Sequence, residues 1–119
     1  MKKKVLIIED DEATSEILEF IVDGLDCEAI TSTYALPVKE IQSVSPDLIL
    51  LDHWLGGELG GELCLKLRDN PYTKHIPVIM MSAHHTLRDI AKQFCADDYM
   101  EKPFSVDDME KRIKKHLGQ

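Results

Sequence analysis

The chain has 119 residues, of which 44% are hydrophobic and 30% charged, and its net charge is −8. This length suits a single domain with one hydrophobic core, and we predict one domain over residues 1–119. The negative charge argues against direct binding of nucleic acid or of a membrane surface, because both are themselves negative. No apolar run is long enough for a membrane span or a signal sequence. The three cysteines, which lie far apart, are typical of reduced thiols in a cytoplasmic protein.

The first predicted element is a short apolar run that ends in acidic residues. Val5–Ile8 is continuously apolar, which indicates a strand buried on both faces. Four acidic residues follow it directly: Glu9, Asp10, Asp11 and Glu12. Carboxylates crowded at a strand end raise one another's pKa unless a positive charge lies among them. The rest of the sequence must therefore supply that charge.

Helical and strand patterns alternate along the remainder of the chain. Apolar spacing predicts helices at Ala13–Leu25, within Leu36–Val44, and at Leu59–Arg68, Thr86–Phe94 and Val106–Leu117. Short apolar runs predict strands at Cys27–Thr31, Leu48–Leu51, Val78–Met81 and Asp98–Met100. In the first helix, one face is expected to bury five residues: Ile17, Leu18, Ile21, Val22 and Leu25. Strands that alternate with helices in this way indicate a parallel sheet covered on both faces.

Polar residues follow the later strands. Asp52 follows the third strand, Ser82 the fourth and Lys102 the fifth. Each has an ordinary alternative interpretation as a helix cap, a turn residue or a loop residue. Ligands of such sheets bind beyond the carboxyl ends of the strands, however, so these side chains are expected to meet Glu9 and Asp10 there. Clustered carboxylates suit Mg²⁺, a carboxylate beside the ion can attack phosphorus, and a lysine and a hydroxyl can stabilise the moving phosphoryl group.

Four segments together resemble the receiver domain of response regulators in two-component signalling: VLIIEDDE, PDLILLDHWL, IPVIMMSA and DDYMEKPF, in this order. The resemblance extends from Lys4 to about Leu117. It implies a flavodoxin-like α/β fold, in which a doubly wound five-stranded parallel sheet of order 2-1-3-4-5 lies between two layers of helices, five in all.

The resemblance also implies a phosphoacceptor and a magnesium site. Asp52 matches the residue that accepts the phosphoryl group. Glu9 and Asp10 match the acidic pair that holds Mg²⁺ with Asp52, either directly or through water. The main-chain carbonyl of Trp54 matches a further ligand. Mg²⁺ is the expected ion, and Mn²⁺ is the alternative.

Further positions match the residues that bind the phosphoryl oxygens and change conformation. Ser82 and Lys102 match the hydroxyl and the lysine that contact those oxygens, and the peptide bond before Pro103 is expected to be cis. Ser82 and Tyr99 match the pair that switches the face formed by the fourth helix, fifth strand and fifth helix. Simple edge packing is the alternative for Tyr99.

Two features depart from the family pattern or vary within it. Gly56 stands where a proline is usual, and the four glycines of His53–Gly61 predict an unusually mobile loop. Trp54 and His84 occupy the two positions that tune the lifetime of the phosphoryl group. An indole beside the phosphoryl group predicts slow self-dephosphorylation, whereas an indole that points to solvent is the alternative.

The expected function is a stoichiometric switch and not a turnover enzyme. A histidine kinase or a phosphotransfer protein would donate the phosphoryl group in the cytoplasm, and an unidentified downstream protein or output domain would respond. The chain is either a stand-alone receiver or a piece of a larger regulator or hybrid kinase.

Three alternatives compete with this interpretation. A phosphohydrolase resembling haloacid dehalogenases requires a second acid where Trp54 stands, so this alternative fails. A zinc or nickel site would use His53, His84 and His85. A degenerate receiver would bind partners without phosphorylation, and a phosphorylation assay separates it from an active one.

Overall fold

A computed structural model describes residues 2–83 and 87–119 of the chain. Within these residues, five strands form one parallel sheet: β1 (Lys4–Ile8), β2 (Glu28–Ser32), β3 (Leu48–Asp52), β4 (Val78–Ser82) and β5 (Asp98–Glu101). The helices are α1 (Glu12–Gly24), α2 (Val38–Val44), α3 (Gly60–Arg68), α4 (Leu87–Gln93) and α5 (Val106–Leu117). The strand order β2-β1-β3-β4-β5 confirms the predicted order 2-1-3-4-5.

The helix boundaries in the described ranges differ from the predicted ones by at most two residues, and local capping explains where several of them fall. The predicted start of the fourth helix, Thr86, lies outside the described residues. Asp11 accepts a hydrogen bond from the backbone N–H of Thr14 at 3.0 Å, so α1 begins directly after it. Ser105 caps α5 in the same way. Pro37 precedes α2 and supplies no side-chain cap. No helix in the described ranges is long and apolar enough to cross a membrane.

The three central strands, β1, β3 and β4, are buried on both faces because alternate side chains enter two different cores, whereas the edge strands β2 and β5 are partly exposed. In β1, Val5 and Ile7 pack with α1 and α5, whereas Leu6 and Ile8 pack with α2 and α3. All residues of β3 and β4 are buried. The continuous apolar runs in the sequence therefore reflect helices on both faces of the sheet.

One residue of the predicted buried face of α1 is exposed. Leu18, Ile21 and Val22 are buried as predicted, but Ile17 is 47% exposed. Consecutive helical residues are about 100° apart around the axis, so Ile17 lies at the edge of the stripe centred near Leu18. The prediction that Ile17 belongs to the buried face is therefore wrong.

A small hairpin lies between β3 and α3 and is not part of the main sheet. Trp54–Leu55 pairs antiparallel with Glu58–Leu59. The two residues between them, Gly56 and Gly57, have φ of 52° and 103°. A two-residue hairpin turn favours glycine because of such positive φ values. The glycine-rich segment that was expected to be a mobile loop thus contains regular pairing.

Candidate functional site

The parallel strands bring the predicted site residues to one edge of the sheet. Ile8 at the end of β1 pairs with Leu51, so Glu9 lies beside Asp52. Asp52 in turn pairs with Met81 on β4, and Ser82 pairs with Glu101 on β5. Each polar residue therefore stands at or just beyond the carboxyl end of its strand.

Three carboxylates gather at this edge. Glu9, Asp10 and Asp52 each offer an oxygen, and these oxygens all lie within 4.8 Å of one another. Glu9 and Asp52 are buried, with exposures of 0% and 5%, whereas Asp10 is exposed. The hairpin turn lies nearby, because a Cβ atom at Gly56 would be 3.8 Å from Asp10 Oδ2.

Lys102 supplies the positive charge that the first strand lacks. Its Nζ donates a hydrogen bond to Glu9 Oε1 and lies 3.6 Å from Asp52 Oδ1. One ammonium group therefore serves two buried carboxylates and leaves the site with an excess of negative charge.

The environment of Glu9 favours its neutral form. Burial, followed by the neighbouring Asp52 carboxyl, raises the pKa of Glu9 to about 8, although Lys102 acts in the opposite direction. Within the described part of the chain, Glu9 Oε2 has no hydrogen-bond partner although it is buried. A buried oxygen without a partner is costly unless another group completes its environment.

The donor set fits Mg²⁺. The ion prefers carboxylate oxygens at about 2.1 Å, so two of its ligands lie at most about 4.2 Å apart. Oxygens within 4.8 Å of one another need only a small side-chain shift or a bridging water to share one ion. The unpartnered Glu9 Oε2 is a further oxygen that could ligate the ion directly or accept a hydrogen bond from a water bound to it. Among the residues that the structure describes, no histidine belongs to this cluster.

The backbone around Asp52 is closely packed. The N–H of Trp54 points towards Asp52 Oδ1 at 3.4 Å. A Cβ atom at Gly60 would lie 2.1 Å from the carbonyl oxygen of Asp52, so α3 can begin here only with a glycine. The indole of Trp54 is 52% exposed and makes an edge contact with the His53 ring, with centroids 5.1 Å apart. Trp54 is therefore about half exposed, and its indole packs against His53.

The remaining predicted site residues do not all lie at this edge of the sheet. Ser82 is buried at the end of β4, and its carbonyl accepts from the Lys102 N–H at 2.9 Å. The Lys102–Pro103 peptide bond is cis, as the resemblance implies. Tyr99 is half-buried and pairs with Met80, two residues before the end of β4, so the strand register places it away from the edge. His84 and His85 lie outside the described residues.

The structural role of His53 was not predicted from the sequence. This residue was expected only as a ligand in the zinc or nickel alternative. Its side chain is buried, and its Nδ1 accepts a hydrogen bond from the Gly61 N–H at 3.2 Å. The sequence offered one indication of this backbone-binding role: His53 lies between a buried strand and the glycine pair Gly60–Gly61.

The fold and the site together define a doubly wound α/β protein with an acidic, lysine-containing cluster at its carboxyl edge. The family model described as response regulator receiver domain matches residues 5–114, and the chain belongs to this family. Receiver domains are phosphoacceptor switches of two-component systems, and phosphorylation and Mg²⁺ binding are typical of them. Members interact with histidine kinases and output domains.

Curated relatives support this assignment. The chain is 35% identical over 123 residues to the phosphate regulon transcriptional regulatory protein PhoB of Rhizobium meliloti. The match covers 98% of this chain and 53% of the relative. The chain is 32% identical to PhoB of Escherichia coli, with 96% and 51% covered. The chain thus spans about half the length of the curated relatives it matches.

Solved structures share the fold over the whole chain. A putative response regulator from Chloroflexus aurantiacus superposes with a TM-score of 0.92 at 27% identity and covers 100% of both chains. The receiver domain of sensor histidine kinase PA1611 from Pseudomonas aeruginosa, which has a magnesium ion in its active site cleft, gives a TM-score of 0.88 at 20% identity, also with 100% of both chains covered. The second likeness, at this identity, shows the fold alone.

Proposed function

We propose that Asp52 accepts a phosphoryl group from a phosphohistidine on a histidine kinase or a phosphotransfer protein. The observation that carries the proposal is the cluster of three carboxylates within 4.8 Å of one another, with Lys102 between two of them. In the transfer, an oxygen of Asp52 forms a bond to phosphorus while the bond between phosphorus and the histidine nitrogen breaks.

Glu9, Asp10 and Asp52, with the carbonyl of Trp54, would hold Mg²⁺, and Mn²⁺ would serve in its place. When bound, the ion would neutralise part of the negative charge that otherwise repels a phosphodonor from this edge. Lys102 and Ser82 would contact the oxygens of the transferred group. The distance of 3.6 Å between Lys102 Nζ and Asp52 Oδ1 supports this role, because little movement is needed.

The proposed output is a change in the surface formed by α4, β5 and α5. Ser82 and Tyr99 would change position when Asp52 is modified and so shift the balance between two conformations. The recipient is a downstream protein or an output domain. PhoB relatives are named as transcriptional regulatory proteins, but the net charge of −8 argues against DNA binding by this segment itself. We propose a cytoplasmic location, where response regulators typically work.

The proposed reversal is self-dephosphorylation, with Trp54 and His84 as the residues that tune its rate. The Trp54 N–H lies 3.4 Å from Asp52 Oδ1, and this closeness to the phosphoacceptor supports a role for Trp54 in restricting water. Replacing Trp54 by Asn is expected to shorten the lifetime of the phosphoryl group, measured by the decay of the phosphorylated mass. A longer lifetime in Trp54→Asn than in the wild type would contradict this role.

Intact-protein mass spectrometry tests the phosphoacceptor directly. The wild type, incubated with Mg²⁺ and acetyl phosphate, is expected to gain the mass of one phosphoryl group. Asp52→Asn and wild type treated with EDTA should gain nothing. If the wild type also gains nothing although Mg²⁺ binds, the chain is a degenerate receiver that acts as a binding module.

A further inference from the structure

His53 caps the start of α3 from a distance. Leu59 precedes α3 and makes no side-chain cap, although the first N–H groups of a helix need partners outside it. The His53 carbonyl accepts from the Gly60 N–H at 2.7 Å, and His53 Nδ1 accepts from the Gly61 N–H at 3.2 Å. Because Nδ1 is an acceptor, a neutral His53 ring carries its proton on Nε2. The residue directly after Asp52 therefore holds the first turn of α3.

His53 and Gly61 both pack against an aromatic ring at the end of α4. Phe94 directly follows α4, and its N–H donates to the carbonyl of Ile90 at 3.1 Å. Its ring centroid lies 5.3 Å from that of His53, at an angle of 45°. A Cβ atom at Gly61 would lie 2.4 Å from Phe94 Cγ, so the ring occupies the space that a side chain would need. His53 and Gly61 thus form a close-fitting seat for Phe94.

We propose that His53 is a positioning residue that links Asp52 to α4 through Phe94. Closely packed groups move together, since they cannot be compressed. At Gly60, the start of α3 lies against the Asp52 carbonyl, and His53 follows Asp52 directly in the chain. A shift at Asp52 therefore moves His53 and Gly61, which form the seat of Phe94. The end of α4 moves with Phe94. This inference rests on the proposed function, because modification of Asp52 supplies the shift.

This link differs from the one proposed through Ser82 and Tyr99. The side chains of that pair stand on β4 and β5, whereas His53 and Gly61 stand at the junction of β3 and α3. Substitution of Phe94 leaves the strand positions of Ser82 and Tyr99 intact, so the two routes can be separated by mutation.

Hydrogen exchange of α4 measures the link. In the wild type, phosphorylation with acetyl phosphate and Mg²⁺ is expected to change the exchange rates of backbone amides in α4 by about fivefold or more. In Phe94→Ala the same phosphorylated mass should form, but this change should be lost. Phe94→Leu keeps most of the bulk and guards against unfolding, and it should lose the change as well. Phe20→Ala is the matched control, because Phe20 lies on α1 and is 75% exposed.

Substitutions of His53 distinguish positioning from simple packing. His53→Leu fills the site but lacks both the acceptor and the ring, so it should lose the α4 response. His53→Phe restores an aromatic ring against Phe94 and should recover the response. Both variants lack the Nδ1 acceptor, so recovery by Phe and not by Leu would assign the response to the ring contact with Phe94. Loss of the response in both variants would overturn this ring-mediated link.

A rescue experiment tests the contact from the other side. Gly61→Ala places a methyl group where the Phe94 ring lies and should slow phosphorylation of Asp52. The double variant Gly61→Ala/Phe94→Ala removes the collision and should restore the rate. Gly24→Ala is the matched control, because a Cβ atom there meets nothing within 4 Å.

The outcomes separate this inference from the function on which it rests. Absence of a phosphoryl mass on the wild type overturns the proposed function and the inference with it. Normal phosphorylation of Phe94→Ala with an unchanged α4 response overturns the inference alone. Loss of the response in Phe20→Ala as well as in Phe94→Ala also overturns it, because the effect would then not depend on the seat.

Discussion

Polar and charged groups are fully paired in the contacts described at the amino-terminal edge of the central sheet, whereas those at the carboxyl edge are incompletely paired. At the amino-terminal edge, the Lys4 N–H donates to Asp47 Oδ2 at 2.8 Å, and Lys4 Nζ donates to the Val44 carbonyl at 3.1 Å. Asp97 accepts from the Val78 N–H and from Arg68. At the carboxyl edge, Glu9 and Asp52 share one lysine, and Glu9 Oε2 has no partner among the described residues.

The fold itself does not require this difference. Both edges belong to the same strands, and the amino-terminal edge shows how readily polar groups can be paired. Buried polar groups that stay unsatisfied in a packed protein tend to mark functional sites, because stability is sacrificed there. The carboxyl edge is therefore interpreted as a site that an added cation completes.

Loss of the lysine at the carboxyl edge should have the largest effect. Lys102→Met is expected to slow phosphorylation of Asp52 by acetyl phosphate about 100-fold, because a donor aimed at developing charge is removed. Lys4→Met at the opposite edge is the matched control and should leave the rate unchanged. The time course of the phosphorylated mass measures both, and equal rates in the two variants would remove the distinction between the edges.

Magnesium affinity should depend on pH through Glu9. Below the raised pKa of about 8, Glu9 holds a proton in the metal-free protein, and a metal ligand must lose it. The affinity is therefore expected to fall about tenfold for each pH unit below 8 and to level off above it. Trp54, the single tryptophan, provides the fluorescence readout. Glu9→Gln should bind more weakly with little pH dependence; a flat wild-type profile would contradict this assignment.

The stability of the metal-free protein should also depend on pH through Glu9. The folded state keeps the Glu9 proton up to about pH 8, whereas the unfolded state releases it near the ordinary glutamate pKa of 4.5. The folded state binds more protons between these values, so the free energy of unfolding should fall as pH rises, with a contribution of at most about 1.4 kcal/mol per pH unit. Urea unfolding measures it. The Glu9 contribution should be absent from Glu9→Gln, and an identical slope in both proteins would refute it.

Substitution at the amino-terminal edge should affect stability alone. Besides Asp97, Arg68 donates to the carbonyls of Ile76 at 2.8 Å and Cys95 at 3.1 Å. Arg68→Met should lower the free energy of unfolding by about 1–2 kcal/mol, because these acceptors lose their donor. Magnesium affinity should not change. Lys66→Met on the same helix is the control, and a reduced magnesium affinity in Arg68→Met would show that the two edges are not independent.

The sheet and its acidic edge were predictable because each depends on a local pattern. Continuous apolar runs mark the buried strands, and the residue after each run is fixed at the edge by the parallel register. The hairpin Trp54–Leu59 was not predictable, since two-residue strands are too short to show a period. The seat of Phe94 depends on residues far apart in sequence. Likewise, the exposure of Ile17 follows from how α1 is rotated against the sheet.

A magnesium-induced shift in melting temperature tests most directly whether a cation completes the carboxyl edge. At about pH 8.5, where Glu9 is largely ionised, Mg²⁺ should raise the melting temperature of the wild type, because a ligand that binds only the folded state stabilises it. Asp11→Asn should respond in the same way, because asparagine also caps helices. Asp10→Asn should lose most of the shift. No shift in the wild type, or equal shifts in Asp10→Asn and Asp11→Asn, would contradict the account.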